Sequence, residues 1–390
     1  MFLMIALTAA MGLPTEPFAL PMMEPCATSE EPACRIPAGV DLQTARARLP
    51  ESARETFWVE GNVFHVLARR AGSGVSLCCG VQSAMERIED APDLWALSVR
   101  VDDLDAAVLD VMIIAEADEK LPPVTHTPQW RGPSAPARAE VAEIPDGLLS
   151  THEIDSASLG ERRAIEIYRP AGEGPMPVIY LADGESTGMF AQTIHPLIAS
   201  GALPPLMIVG LHSGPRVLPE GEDASLIRHQ EYLPGWGGEP QPRFMAHDRF
   251  LIEDVLPLAE SLGASSRHED RAVAGYSNGA AWAMAMATDH PDLFGKVMAL
   301  SFGWTDGGFS NRIRATRYGA VWLGAGTLEP PFHDITRQTA DILRTRATRV
   351  TFDSRVAGHT PVMWHDQFPV AALWLFSPEG RPSIDAVPPP

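Results

Sequence analysis

The sequence is short of positive charge. It has 30 Lys and Arg against 50 Asp and Glu, a formal net charge of −20. A surface that grips a phosphate backbone needs clustered Lys and Arg, so no nucleic acid is expected as a partner. Long apolar runs are missing as well. No stretch reaches the roughly 18 consecutive apolar residues of a membrane-crossing helix, so no membrane-spanning segment is expected. Cysteine is scarce, with four in 390 residues: Cys26, Cys34, Cys78 and Cys79. They make no Cys-x-x-Cys pair and, with the histidines, no zinc-type spacing, and no metal or other cofactor is expected. In an oxidising compartment Cys26 and Cys34 would close a short loop. Cys78 and Cys79 are adjacent, and on a strand they would point to opposite faces. There is no internal repeat.

What is present is ordinary for a soluble chain: 45% hydrophobic and 21% charged residues, in a length that suits two domains or one large one. Residues 1–20 read as a signal segment, because Phe2–Leu13 has the length of a signal-peptide core and Ala10-Met11-Gly12 could serve as a weak cleavage site. No Lys or Arg precedes that run, which argues the other way. A periplasmic or secreted location is expected, with the cytoplasm as the alternative. Residues 20–55 are rich in Pro, Glu and Ala and read as an arm with a short helix at Leu42–Leu49. The segments Thr56–Leu67, Val75–Gln82, Leu94–Val101 and Ala107–Ile114 are apolar or alternating and separated by Gly and Asp-Pro punctuation. They predict a small Ig-like β-sandwich over residues 56–120. Residues 121–144 read as a Pro-rich connector.

Residues 145–380 have a different rhythm. Short, near-continuous apolar runs recur at Arg163–Tyr168, Pro177–Ala182, Leu206–Leu211, Arg271–Ala274, Lys296–Ser301, Ala320–Gly324 and Val350–Ser354. Helix-compatible stretches separate many of them. Such alternation predicts an α/β fold with a doubly wound, mostly parallel sheet. The pattern Gly-x-Ser-x-Gly between strand and helix, which sets a serine on a tight exposed turn, occurs twice: Gly275-Tyr276-Ser277-Asn278-Gly279 and Gly184-Glu185-Ser186-Thr187-Gly188. Three candidate strands precede the strand leading into Ser277 and three follow it, whereas Ser186 comes after only two. Ser277 is therefore the candidate nucleophile.

A serine hydroxyl needs a base, normally a histidine oriented by a carboxylate, and in this type of fold the chain order is Ser, acid, His. His359 follows the last strand in Ala357-Gly358-His359-Thr360 and is the candidate base, with His365 as fallback. His290 reads as a helix-end residue. Glu329 follows the strand Ala320–Gly324 and is the candidate acid, with Asp334 and Asp306 as alternatives. For the developing oxyanion, the backbone N–H of Asn278, at a helix start, and that of Glu185 are the candidate donors.

Several of these segments resemble the esterase family that includes enterochelin esterases, esterase D and feruloyl esterases. They are Ser158-Leu159-Gly160-Glu161-Arg162-Arg163, Tyr180-Leu181-Ala182-Asp183-Gly184-Glu185, Arg228-His229-Gln230-Glu231-Tyr232, Ala274-Gly275-Tyr276-Ser277-Asn278-Gly279, Gly326-Thr327-Leu328-Glu329-Pro330, and Gly358-His359 followed by Trp364. The resemblance implies an α/β-hydrolase fold. The Glu329-Pro330 pair and the N-terminal Asp93-Leu94-Trp95 resemble the enterochelin-esterase branch, which implies Glu329 as the acid and a siderophore or lactone ester as substrate. Tyr276 and Asn278 depart from that branch. A carbohydrate acyl ester of feruloyl or acetyl type is the alternative, and a non-catalytic binding protein on the same fold is another. The expected partner is a small-molecule ester. The sequence leaves the oligomeric state open. Trp95 and Trp130 are the aromatic candidates for contact between the two domains, although a core role is the first reading for Trp95.

Overall fold

The computed structural model describes residues 22–28, 31–115, 128–218, 221–235, 241–303 and 307–377. Residues 1–20, read as a signal segment, and Asp306, the alternative acid, lie outside the described residues. So do residues 121–127 of the Pro-rich connector.

The apolar runs beyond residue 145 become the strands of one sheet: β1 (Leu149–Ser156), β2 (Glu161–Tyr168), β3 (Val178–Ala182), β4 (Met207–Leu211), β5 (Arg271–Tyr276), β6 (Lys296–Leu300), β7 (Tyr318–Gly326) and β8 (Ala347–Arg355). Their order across the sheet is β1-β2-β4-β3-β5-β6-β7-β8. β1 and β2 are antiparallel, as are β2 and β4, and every other neighbouring pair is parallel. β3 and β4 are apolar throughout because both of their faces are covered. In β3, Val178, Tyr180 and Ala182 enter one core, and Ile179 and Leu181 enter the other. The covering helices are α1 (Thr187–Ala199) and α5 (Pro361–Phe376) on one face, and α3 (Asn278–Asp289) and α4 (Pro330–Leu343) on the other. The edge strand β1 was not read from the sequence. Its residues, Leu-Ser-Thr-His-Glu-Ile-Asp-Ser, are half-buried to exposed except Ser156, so no apolar run announces it.

The earlier strands join a different set of sheets. One holds Ala33–Ile36, Leu94–Val101, Val63–Arg69 and Glu55–Glu60 in that order, and another holds Ser83–Ala84, Val75–Cys78 and Met112–Ala115. The expected single segment Thr56–Leu67 is a hairpin that turns at Gly61 (φ 61). Side chains of both sheets, among them Phe64, Val66, Leu97, Leu77 and Ile113, share one core. Within the segment read as a connector, Gln129–Arg131 pairs antiparallel with Val108–Asp110. The adjacent cysteines do not point to opposite faces. Cys78 ends its strand and is disulfide-bonded to Cys79, whose φ of 100 takes the chain out of the extended path. Cys26 and Cys34 are also joined.

Trp95 and Trp130 do not bridge the two units. Both pack in or against the N-terminal core, and the Trp95 indole donates to the carbonyl of Arg70. The bridge is built from the other side: Leu328 and Val356, from the loop after β7 and the end of β8, pack into the N-terminal core. The Val108 N–H donates to the Val356 carbonyl (2.9 Å). On α5, the buried Asp366 accepts from Arg131 (2.5 Å) and from the Ala139 N–H (2.8 Å).

A buried ion cluster fixes the loop after β4. Arg163 of β2 pairs with Glu231 of α2 (Ala224–Tyr232), and both side chains are fully buried. Arg243 pairs with Glu231 and Glu161. The same groups hold that loop, since Arg163 donates to the His212 carbonyl (3.0 Å) and Glu231 accepts from the Gly214 N–H (3.0 Å). Removing one partner of a buried pair strands the other charge, at a cost of about 3–5 kcal/mol. Glu231→Ala should lose stability of that order in urea unfolding, and a loss below about 1 kcal/mol would show that the pair does not hold the loop.

Candidate active site

The candidate residues converge on the carboxyl ends of four neighbouring strands, where ligands of open α/β sheets bind. Ser277 caps β5, Ser301 follows β6, Glu329 follows β7 and His359 follows β8. Ser277 has φ 55 and ψ −125, a conformation that non-glycine residues seldom adopt. The turn is possible because Gly275 and Gly279 lie against each other. A Cβ on Gly275 would collide with the Gly279 backbone, and one on Gly279 would lie 3.0 Å from the Ala182 side chain. The Ser277 N–H donates to the Leu300 carbonyl (2.9 Å), tying the turn to the next strand. Asn278 opens α3, so its N–H points out of a helix start with the helix dipole behind it.

His359 and Glu329 are brought together. The His359 Nδ1 lies 2.5 Å from the Glu329 Oε2. A carboxylate only accepts, so this nitrogen carries the proton and Nε2 is left as the basic one. Glu329 is 2% exposed. Its other oxygen accepts from the Ser301 hydroxyl (2.7 Å) and the Gly326 N–H (2.7 Å). The Ser301 oxygen accepts in turn from the Trp364 indole N–H (2.8 Å). The His359 ring meets Trp364 edge-on, with centroids 4.9 Å apart, and Trp364 stacks on Tyr276 at 4.4 Å. A row of rings therefore connects the histidine to the residue before Ser277. Among the described residues the Ser277 hydroxyl makes no hydrogen bond.

The other candidates fall elsewhere. The Ser186 hydroxyl is bonded to the Tyr276 hydroxyl (2.9 Å), so the second Gly-x-Ser-x-Gly lies beside the elbow rather than forming another. Asp334 pairs with Arg337 on the surface. His365 lies 3.9 Å from Asp366, outside the Glu329 cluster. His290 caps α3 and bonds Asp248 (2.6 Å), as expected of a helix-end residue. The Glu185 carboxylate is exposed and accepts from the Ser213 N–H (3.0 Å).

Three contributors were not read from the sequence. Ser301 carries no motif. Its place is set by φ 54 at the end of β6. Arg228 grips both oxygens of Asp183 (2.6 and 2.8 Å) and reaches the Tyr276 carbonyl at 3.4 Å. Both residues stood in the segments singled out above, without a role. Asp110, from the N-terminal unit, is fully buried and faces Thr360, next to His359. Burial pushes its pKa up to about 6, with the Thr360 hydroxyl and its own backbone N–H pulling the other way without completing a well-formed hydrogen bond. Two open hollows, of about 470 and about 370 Å³, lie around Arg87–Asp90 in the N-terminal unit and contain none of these residues. Among the described residues no group of three or more His, Cys, Asp or Glu side chains is arranged to hold a metal ion.

A family model described as "Putative esterase" matches residues 156–375, more than half of the chain. The protein belongs to this esterase family. Solved structures share the fold of the esterase over a longer span. Enterochelin esterase from Shigella flexneri aligns with a TM-score of 0.62 and 16% identity, over 85% of this chain and 97% of that one. Ferric enterobactin esterase from Salmonella typhimurium aligns with a TM-score of 0.61 and 16% identity, over 83% and 96%. At that identity the likeness is one of fold, and it is an α/β-hydrolase-like fold. No curated protein matches the sequence of the esterase closely.

Asp110 gives the esterase a pH signature. Its folded pKa is raised, so its stabilising contribution is complete below the unfolded value of 3.8 and lost as pH rises to about 6. The loss amounts to about 3 kcal/mol, at about 1.4 kcal/mol per pKa unit. Asp110→Asn should equal the parent in stability near pH 4 and exceed it by up to that amount at pH 8. Denaturant titrations at the two pH values check this, and a variant weaker than the parent at pH 8 would mean that the carboxylate has a partner.

Proposed function

We propose that the esterase cleaves carboxylic esters with Ser277 as nucleophile, His359 as base and Glu329 as orienting acid, through an acyl-enzyme. The observation that carries this reading is the 2.5 Å contact between Glu329 and His359, at strand ends beside the elbow of Ser277. Glu329 holds the imidazole in the tautomer whose Nε2 accepts a proton. That nitrogen takes the Ser277 proton as the oxygen attacks the ester carbonyl. The carbonyl oxygen becomes an oxyanion facing the Asn278 and Glu185 N–H groups and the start of α3. Collapse breaks the ester bond, and the alcohol leaves with the proton returned by His359. Water then repeats the sequence on the acyl-Ser277, releasing the acid and restoring the serine.

We read residues 56–120 as a β-sandwich domain and 145–380 as the catalytic domain. A siderophore-like or lactone ester is the substrate class this layout favours, because the fold likeness to enterochelin esterase runs across both units. Charge favours the second reading, a neutral acyl ester on a carbohydrate. The chain carries −20, and Glu185 and Glu166 lie close together near the elbow, which would repel a highly anionic iron complex. The two disulfides suit an oxidising compartment, as does the reading of residues 1–20 as an export signal.

Ser277→Ala should lower kcat/KM by ~10⁴ or more while leaving the fold intact, and Glu329→Gln should fall steeply as well. Ser186→Ala should keep most of its activity. A Ser277→Ala enzyme with a tenth of parental activity against every ester cleaved would remove Ser277 as nucleophile. A screen of p-nitrophenyl esters, feruloyl esters and a catecholate trilactone chooses between the substrate readings. Cleavage of feruloyl esters with the trilactone untouched would overturn the first.

A further inference from the structure

The residues on either side of His359 rest on the N-terminal unit. Gly358 precedes it, and a Cβ there would overlap the Gly80 carbonyl oxygen and lie 2.8 Å from that of Cys79. Gly80 is itself wedged against Asp110: a Cβ on Gly80 would collide with the Asp110 carboxylate and lie 3.1 Å from its backbone nitrogen. On the far side, Thr360 faces the same Asp110. The partner of His359 is braced in the same way, since Leu328, next to Glu329, is buried in the N-terminal core.

The contact on Gly358 is made by a turn whose shape depends on a covalent ring. Cys78 and Cys79 are disulfide-bonded across one peptide unit. Cys79 has φ 100, which side-chain-bearing residues avoid. An open chain would leave that region, and the ring prevents it. Both cysteines are partly exposed, whereas Gly80 behind them is buried. A small reductant can therefore reach the sulfurs from solvent, while the far side of the turn presses on the histidine loop.

We propose that the Cys78–Cys79 disulfide is a positioning element for His359 and makes ester hydrolysis responsive to dithiols. With the ring closed, the Gly80 carbonyl backs Gly358 and keeps the imidazole on Glu329. With the ring open, Cys79 relaxes, Gly358 loses its backing and the imidazole drifts. The opening step is thiol–disulfide exchange. One thiolate of the dithiol attacks a cysteine sulfur and displaces the other as thiolate. The second thiol of the reductant then attacks the mixed disulfide and frees the first cysteine. The reductant leaves as a cyclic disulfide, having given two electrons to the cysteine sulfurs, and its two protons end on them. This inference rests on the assignment of His359 and Ser277 above.

The test uses the full chain and p-nitrophenyl acetate, before and after dithiothreitol, in the parent, in Cys26→Ser/Cys34→Ser and in Cys78→Ser/Cys79→Ser. Displacements of about 1 Å outside the reacting groups cost up to ~10²-fold. Reduction should lower kcat roughly ten-fold or more, with KM nearly unchanged, in the parent and in Cys26→Ser/Cys34→Ser. Re-oxidation should restore it. Cys78→Ser/Cys79→Ser should start low and ignore the reductant. The low-field proton resonance of the His359–Glu329 hydrogen bond should weaken on reduction while circular dichroism stays constant, which loss of fold would not give. If Cys78→Ser/Cys79→Ser does not fold, the reversible parent experiment decides alone. A fluorophosphonate probe separates the two layers of argument. Absence of label on Ser277 in the oxidised parent would overturn the triad and this proposal with it. Labelling of Ser277 together with an unchanged kcat after reduction would overturn the positioning role alone.

Discussion

Burying a carboxylate forces the protein to supply donors for it, and around Glu329 this demand organises the site. Three donors meet it: the Ser301 hydroxyl, the Gly326 N–H and the His359 imidazole. Each comes from a different part of the sheet's carboxyl end, so one charge pins the ends of β6, β7 and β8 together. The Trp364 indole completes the shell by occupying the Ser301 oxygen, which leaves the serine's own proton for the carboxylate. Hydrogen bonds to an ionised acceptor are about twice as strong as neutral ones and shorten accordingly. The elbow itself makes little of this shell. It is attached through Tyr276 on Trp364 and through the Ser277 N–H on Leu300.

The eight-stranded half of the fold was legible because most of its strands are buried on both faces. Runs such as Val178–Ala182 and Met207–Leu211 have no polar alternation and stand out in any reading. β1 escaped notice for the opposite reason, being an edge strand with water on much of its surface. Ser277 was legible through glycine, since Gly275 and Gly279 touch and nothing larger fits between strand and helix. Glu329 and His359 were singled out by counting strands, and a hydrogen bond joins the two side chains. Ser301 could not be found that way. Nothing distinguishes a serine at a strand end until the backbone's positive φ turns its hydroxyl toward a carboxylate distant in sequence.

The domain contact was harder still. Aromatic residues were the natural candidates, yet Trp130 joins Trp95, whose core role was the first reading, in serving the N-terminal core. The contact includes instead aliphatic side chains and bare backbone, Leu328, Val356, Gly80 and Gly358, beside the Arg131–Asp366 pair. Backbone against backbone leaves no compositional trace beyond a glycine. The Cys78–Cys79 ring illustrates the same limit. Strand alternation predicted opposed side chains, and the chain instead leaves the strand at Cys79.

The order of these pieces along the chain has a consequence for how activity arises during synthesis. The N-terminal unit leaves the ribosome first, and domains generally fold as units as they emerge. Ser277 and its elbow follow, and Glu329 after them. His359, β8 and α5 come last, and their resting place on Cys79, Gly80 and Val108 is already formed when they arrive. Ser277 and Glu329 are therefore made before His359, which reaches Glu329 only when the carboxyl-terminal segment docks on a surface made at the start.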